Sequence, residues 1–163
     1  MIIAEVRTGG QSGADRAAFD AARARGVAIS GWCPKGGWAE DLQEPPGLLA
    51  DYPEMVETPS SNTIQRTEWN IRDSSACLVF NVPDTSPGTD AGMRFFDDYD
   101  VPFFEIDLDG DFDIQLDEAI SWLEEVGDGD DAFVLGVGGP RATEYGGVYN
   151  YVYDFVNCVL DAF

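Results

Sequence analysis

The sequence predicts an α/β fold with a mainly parallel sheet of five or more strands and helices on both faces. Short apolar segments alternate five times with segments of helical periodicity, and no segment repeats another. Right-handed crossovers between successive parallel strands place the connecting helices on the two faces of the sheet. The chain has 163 residues, 44% of them hydrophobic, which suffices for the core of one domain spanning residues 1–163.

The first half of the chain contains two predicted strands, one helix and a long irregular segment. Residues 2–7 form a short apolar strand, and residues 15–25 are rich in helix-forming Ala and Arg until Gly26 ends the helix. Residues 27–32 form the second strand. The segment 33–59 is rich in Pro, Gly and acidic residues, so it predicts a long excursion without regular structure, and such excursions are usually functional or disordered.

The second half alternates more regularly. Leu116, Ile120 and Leu123 recur at helical spacing, and the last segment carries a similar apolar stripe. These patterns predict strands over 76–82, 101–108 and 132–137, and helices over 62–75, 89–99, about 113–126 and about 148–163.

The charge of the chain excludes several classes of partner. There are 31 acidic and 9 basic residues, no His, and a net charge of −22. Such a surface repels phosphate backbones and anionic lipids, so we expect no non-specific nucleic-acid binding and no membrane binding. No apolar run resembles a signal peptide or a membrane span, and the acidity suits a salty cytoplasm, so a cytoplasmic location is predicted. The lack of His and of paired Cys motifs argues against zinc.

The loop after the first strand is the first candidate for ligand binding. Open parallel sheets bind ligands beyond the carboxyl ends of their strands, where helices begin. Here glycines would let backbone amides approach an anion at the positive end of the first helix. The spacing is neither the dinucleotide fingerprint nor a Walker loop, and the alternative is that the glycines only allow a tight turn and close packing. The candidate residues are Gly9, Gly10, Gln11, Ser12 and Gly13.

Three further loops fall at the same predicted edge. Lys35, the sole lysine, follows the second strand, and Arg141 follows the fifth, where it can clamp phosphate or carboxylate. Gly88 and Thr89 follow the third strand and can direct amides to the same ligand. The alternatives are an incidental surface lysine and an arginine that pairs with nearby acids.

The helix predicted over 62–75 carries charged residues that can act on a ligand. Glu68 and Asp73, together with Asp41 in the excursion, are candidate catalytic acids or bases, and Arg66 is another candidate anion clamp. The alternative is a solvated helix whose charges pair along its surface.

Several motifs together resemble a known family. TGGQSGADRA at 8–17, GWCPKG at 31–36, RTEWNIRDS at 66–74 and GPR at 139–141 occur in this order in the family named putative molybdenum carrier proteins. That family is similar to a Rossmann-like superfamily that includes the lysine-decarboxylase-like phosphoribohydrolases and DNA-processing protein A. The resemblance implies a Rossmann-like domain that binds molybdenum cofactor, a pterin phosphate, or a nucleotide. The ligand-edge residues it implies are Gly9, Gly10, Gln11, Ser12, Gly13, Lys35, Gly88, Thr89 and Arg141.

One departure from the superfamily bears on function. The phosphoribohydrolases have a Pro-Gly-Gly-x-Gly-Thr loop followed by Glu, whereas this chain has the shorter Ser86-Pro87-Gly88-Thr89-Asp90 without that Glu. The sequence therefore favours a binding or carrier protein over the alternative, a nucleotide-processing hydrolase. Because superfamily relatives assemble, and because Phe155 and Phe163 lie on the apolar last helix, we also expect a homo-oligomer.

Overall fold

The computed structural model describes residues 1–82 and 91–163, and its centre is one six-stranded parallel sheet. The strands are β1 (Ile3–Arg7), β2 (Ala28–Cys33), β3 (Met55–Glu57), β4 (Ala76–Asn81), β5 (Phe103–Asp107) and β6 (Phe133–Gly138). The helices of the described ranges are α1 (Ala14–Arg25), α2 (Leu48–Asp51), α3 (Thr63–Arg72), α4 (Arg94–Tyr99), α5 (Phe112–Val126) and α6 (Val148–Ala162). The predicted α/β class and the parallel sheet are confirmed.

The strand order is β3-β2-β1-β6-β4-β5, with every neighbouring pair parallel. From β1 the chain moves outward through β2 to β3, and from β4 it moves outward to β5 on the other side. In sheets of this type, the strand ends where these directions diverge form a crevice. The last strand, β6, lies at this point, between β1 and β4.

Helices cover both faces of the sheet because side chains of successive strand residues point to opposite sides. On one face α1 packs against α6, and Phe80 of β4 contacts Phe155 with ring centroids 5.3 Å apart. On the other face α3 and α4 cover a smaller cluster that includes Cys77, Val79 and Phe96. The apolar core is therefore larger on the face covered by α1 and α6 than on the face beneath α3.

The segment 33–59 differs from the prediction, because it contains α2 and the edge strand β3. β3 has three residues, of which only Met55 is buried, so it is too short for an alternating pattern to be recognised. The predicted helix over 89–99 is described from residue 91 onward, and its α4 portion spans Arg94–Tyr99.

The apolar stripe of the last helix packs inside this chain. Phe155 is fully buried, and Phe163 is partly buried against the same core. The stripe therefore does not by itself indicate a subunit interface. None of the helices in the described ranges is both long and apolar enough to cross a membrane.

Candidate functional site

A cavity of about 150 Å³ lies under α3, at the carboxyl ends of β1 and β6. Its floor is formed by strand residues and its wall by α3 and the start of α4. The described residues that line it are Arg7, Gly9, Gln11, Asp15, Thr63, Ile64, Arg66, Thr67, Asn70, Ile71, Ser74, Cys77, Val79, Gly92, Met93, Phe96, Gly136, Val137, Gly138, Gly139, Arg141 and Glu144.

Gly136 of β6 lets neighbouring side chains occupy the space above that strand. A Cβ atom at Gly136 would overlap Cys77 Sγ and lie 2.6 Å from Ser74 Oγ, so only glycine leaves room for both. Burial raises the pKa of the Cys77 thiol to about 12, so this side chain is a neutral apolar group in the cavity floor.

Arg66 is the most enclosed cation of the cavity. It projects from α3 with an 11% exposed side chain, its Nη1 lies 3.5 Å from Asp15 Oδ2, and its Nε donates to the Thr63 carbonyl at 3.3 Å. Burial lowers its pKa, the charge of Asp15 opposes that effect, and the positive charge of Arg141 adds to it. Arg66 and Arg141 are therefore close enough to repel each other.

Two other arginines face the same space. Arg7 ends β1 and donates through Nη2 to Glu5 at 2.9 Å, while its Nε is buried without a hydrogen-bond partner in the described part of the chain. Arg141 follows β6, is about one-third exposed, and approaches Glu144 at 3.9 Å and the ring of Trp38 at 5.8 Å. The cavity thus has donors that its protein surroundings satisfy only in part.

Asp15 brings a buried carboxylate to the cavity from the first turn of α1. Its side chain is 10% exposed, and Oδ2 accepts from the Gln11 amide at 3.3 Å in addition to facing Arg66. Burial raises its pKa, and the charge of Arg66 and the backbone amides of Gln11 and Gly9 oppose that rise. This carboxylate occupies the position at the helix amino-terminus where an anion is favoured.

The predicted glycine loop is assembled differently from the expectation, because successive amides are paired within it. The Gly10 amide donates to Thr8 Oγ1 at 2.9 Å, the Gln11 amide to Asp15, and the Ser12 amide to Gln11 Oε1 at 3.0 Å. These three backbone amides therefore donate to side chains of the loop and of the first turn of α1, and they are not available to a ligand in the cavity.

Two glycines of this loop are required for close approach. A Cβ atom at Gly9 would overlap Nη1 of Arg66, and one at Gly13 would lie 2.5 Å from the Pro140 carbonyl oxygen. Gly9 thereby permits the Arg66–Asp15 pair, and Gly13 permits the loop after β6 to pack on α1. This is the packing alternative considered for the motif.

One part of the excursion 33–59, residues 34–47, is attached to the outside of the same loop. Gln11 Oε1 accepts from the Glu40 amide at 2.9 Å, and the Glu40 carboxylate accepts from the hydroxyls of Ser12 and Thr143. Glu40 thus joins the loop after β1, the excursion and the loop after β6 into one rim beside the cavity.

The remaining predicted ligand residues differ in their position relative to the cavity. Arg141, Gly9 and Gln11 line the cavity, whereas Lys35 is exposed and absent from the lining. Gly88 and Thr89 lie outside the described residues. Sequence reasoning missed Arg7 and Asp15 as cavity residues, although Arg7 ends the strand directly before the 8–17 motif and Asp15 lies within that motif, as the second residue of α1.

The candidate catalytic carboxylates do not line the cavity. Asp73 accepts from Arg72 and from Trp32 Nε1 at 2.8 Å, Glu68 accepts from Tyr99, and Asp41 pairs with Arg16 at 3.0 Å. Hydrogen bonding to Arg72 lowers the pKa of Asp73, and that to Arg16 lowers the pKa of Asp41. Asp73 and Asp41 are thus paired with arginines and Glu68 accepts from a tyrosine, and none of the three belongs to the described cavity lining.

Trp32, Trp38 and Trp69 also lie outside the described cavity lining. Trp32 and Trp69 pack edge to face on each other with centroids 4.8 Å apart, and Trp38 lies beside Arg141. Phe96 is the aromatic side chain among the described lining residues. Within those ranges of the chain, no cluster of three or more His, Cys, Asp or Glu side chains is arranged to hold a metal ion.

The parallel sheet with helices on both faces and a crevice at its strand ends defines a Rossmann-like α/β protein. The chain belongs to the circularly permutated YpsA SLOG family, whose model matches residues 6–160. It is similar to the crystal structure of the putative molybdenum carrier protein from Syntrophus aciditrophicus SB, with 32% sequence identity and a TM-score of 0.81. That match covers 97% of this chain and 95% of the other, and confirms the resemblance found in the sequence. No curated protein matches.

Proposed function

We propose that this protein is a binding or carrier protein for a small phosphate-bearing molecule, either the pterin phosphate of molybdenum cofactor or a nucleotide, held in the cavity under α3. The name of the Syntrophus aciditrophicus protein supports the carrier part of this proposal. The ligand is the cargo of the protein, and the proposal requires no covalent step.

The observation that carries the proposal is the convergence of Arg7, Arg66 and Arg141 on one cavity in a protein of net charge −22. Bringing like charges together costs free energy unless an anion lies between them. Guanidinium groups also match the geometry of phosphate oxygens and can bind them in bidentate fashion. A phosphate among these side chains would relieve the repulsion between Arg66 and Arg141.

The rest of the cavity suits the non-phosphate part of such a ligand. Ile64, Ile71, Val79, Met93 and Phe96 form its apolar wall. Ligand pockets combine apolar walls with a small number of placed polar groups that fix orientation. The phosphate would therefore lie toward Arg66 and Arg141, with the ring against the apolar wall.

The hydrogen-bond donors proposed for the phosphate differ from those expected from the sequence. In this proposal arginine side chains, rather than the backbone amides of the glycine loop, bind the phosphate, because those amides are already paired. Lys35 lies outside the lining and does not contact the ligand. A nucleotide hydrolase built on Glu68, Asp73 or Asp41 receives no support, because a catalytic acid must reach the reacting atom and these carboxylates are paired elsewhere.

The test compares two single-charge variants in a thermal-shift and calorimetric titration with inorganic phosphate, molybdate, AMP and molybdopterin. Arg141→Gln removes a cation of the cavity, and Lys35→Gln removes one outside it. We expect at least one of these ligands to stabilise the wild-type protein, and Arg141→Gln to weaken its binding about tenfold or more. Lys35→Gln should bind within about twofold of wild type. Binding of none of the ligands, or equal loss in both variants, would contradict the proposal.

Self-association also remains a prediction. We propose that residues 1–163 act as one domain and assemble as a homo-oligomer in the cytoplasm. Because Phe155 packs in the core, the interface must use another surface. Light scattering at micromolar concentration should give a mass above 17.8 kDa, and a monomeric mass would refute this expectation.

A further inference from the structure

We propose that Asp15 limits the cavity to a single oxyanion group and rejects a second phosphate joined to the first. This inference rests on the proposed function, and it assigns to Asp15 the role of a specificity-determining residue. The ligand class it selects is a monophosphate or another compound with one compact oxyanion, attached to an uncharged apolar or planar group.

The first support is the position of the carboxylate. In a glycine-loop site the amino-terminus of the first helix holds a phosphate. Here Asp15 Oδ2 lies at that place, accepts from the Gln11 amide at 3.3 Å and faces Arg66 Nη1 at 3.5 Å. The protein therefore supplies its own anion to the place that a second phosphate would otherwise use.

The second support is the local balance of charge. Of the described residues that line the cavity, the cations are Arg7, Arg66 and Arg141, and the anions are Asp15 and Glu144. Three positive groups against two negative groups leave a surplus of one positive charge. Arg7 also donates to Glu5 and lies 4.0 Å from Asp73, two carboxylates outside the lining, so less of its charge is available to a ligand. One oxyanion uses this surplus, and among the described lining residues no further cation remains to pair with a second one.

The third support is the nature of the remaining wall. A phosphate next to the first one would meet the carboxylates of Asp15 and Glu144 or aliphatic side chains such as Ile71 and Val79. The polar side chains of the described lining include Thr67, Asn70 and Ser74, which already donate to backbone carbonyls. Like-charge contact and burial of an unpaired charge both disfavour binding strongly. The glycine loop cannot compensate, because the amides of Gly10, Gln11 and Ser12 are already paired.

The test uses two ligand pairs that differ by one phosphate: inorganic phosphate against pyrophosphate, and AMP against ADP. Affinities are measured by isothermal titration calorimetry at one fixed ionic strength, because screening changes both members of a pair. We expect the wild-type protein to bind the monophosphate member at least about tenfold more tightly in each pair that binds.

The matched variants are Asp15→Asn and Asp20→Asn, which change the net charge equally within α1. Asp20 lies outside the cavity lining and accepts from Tyr52 and Tyr149. Asp15→Asn should lose most of the preference for the monophosphate, whereas Asp20→Asn should keep it. The melting temperature of each unliganded variant is recorded first, because Asp15→Asn removes a partner of buried Arg66.

The outcomes separate this inference from the proposed function. If the wild-type protein binds ADP and pyrophosphate as tightly as AMP and phosphate, the role of Asp15 is refuted while the binding function stands. The same conclusion follows if both variants keep the wild-type preference. If none of the four ligands binds, the inference about Asp15 fails, and the proposed function then depends on the titrations with molybdate and molybdopterin. The wild-type comparison can still refute the inference if Asp15→Asn does not fold.

Discussion

At the scale of single residues, Gly9 matters because of what lies against it. Replacing Gly9 with Ala would place a Cβ atom on Arg66 Nη1 and force this guanidinium away from Asp15. We expect Gly9→Ala to lower the free energy of unfolding by about 2–4 kcal/mol, because it disturbs a buried ion pair without removing its charges. Urea denaturation measures this loss.

Gly146→Ala is the control for that experiment, since nothing lies within 4 Å of a Cβ atom there. This variant should change the free energy of unfolding by less than about 0.5 kcal/mol. Equal effects of the two substitutions would show that the contact with Arg66 has no special cost.

Asp73 allows a prediction about pH. Hydrogen bonding to Arg72 holds the pKa of this carboxyl below its ordinary value of 3.8, so the ionised form stabilises the folded state. That contribution is fully present above the unfolded-state pKa and is lost as the pH falls through the lowered folded-state pKa. Asp73→Asn should therefore cost about 1 kcal/mol near pH 7, and this cost should shrink progressively as the pH falls below 3.8. A difference between wild type and variant that stays constant over this range of pH would be inconsistent with the linkage.

The sequence predicts the position of the site better than its donors. Arg141 and the glycine loop are found because strand ends of a parallel sheet converge at one edge. The pairing of Asp15 with Arg66 could not be inferred, since it depends on how α3 packs over the sheet. Lys35 is a candidate ligand residue because it is the sole lysine, but the rarity of a residue type does not show where its side chain points.

At the scale of elements, the amino-terminal cap of α3 connects stability to the site. Asn62 accepts from the Ile64 amide at 3.0 Å, and α3 carries Arg66. Asn62→Ala should cost about 1 kcal/mol of stability and should also weaken binding of whichever ligand the titrations identify. Denaturation and calorimetry on the same preparation measure both effects.

Asp111→Ala provides the matched control, because Asp111 caps α5 by accepting from the Ile114 amide at 3.0 Å. α5 contributes no residue to the described cavity lining. This variant should lose similar stability and keep ligand affinity. A parallel loss of affinity in both variants would mean that Asn62 acts only through global stability.

The elements that the sequence predicts well are those buried on one or both sides. β4 is buried at every residue, and its apolar run is therefore visible in the sequence. β3 was missed because a three-residue edge strand buries only Met55. Its pairing with β2 depends on the path of the whole excursion, which composition alone does not define.

At the scale of the whole molecule, the net charge of −22 predicts a marked dependence on salt. Self-repulsion of 31 acidic side chains destabilises the compact state, and dissolved ions screen it over a Debye length that shortens to about 8 Å at 0.15 M. The melting temperature should rise by several degrees between about 0.01 M and 0.5 M potassium chloride, most steeply at the low end. Differential scanning calorimetry checks this, and a melting temperature that is flat across the series would show that repulsion is unimportant.

The two outermost strands of the sheet add a consequence for how copies of the molecule meet. β3 ends in exposed Glu57, and β5 presents exposed Glu105 and Asp107. Carboxylates and very short strands at the margins of a sheet prevent open backbone groups from templating a neighbouring chain. Growth of the sheet from one molecule into the next is thereby disfavoured at both margins, so a homo-oligomer of the kind proposed would pair through helical surfaces, and fibrous stacking is disfavoured.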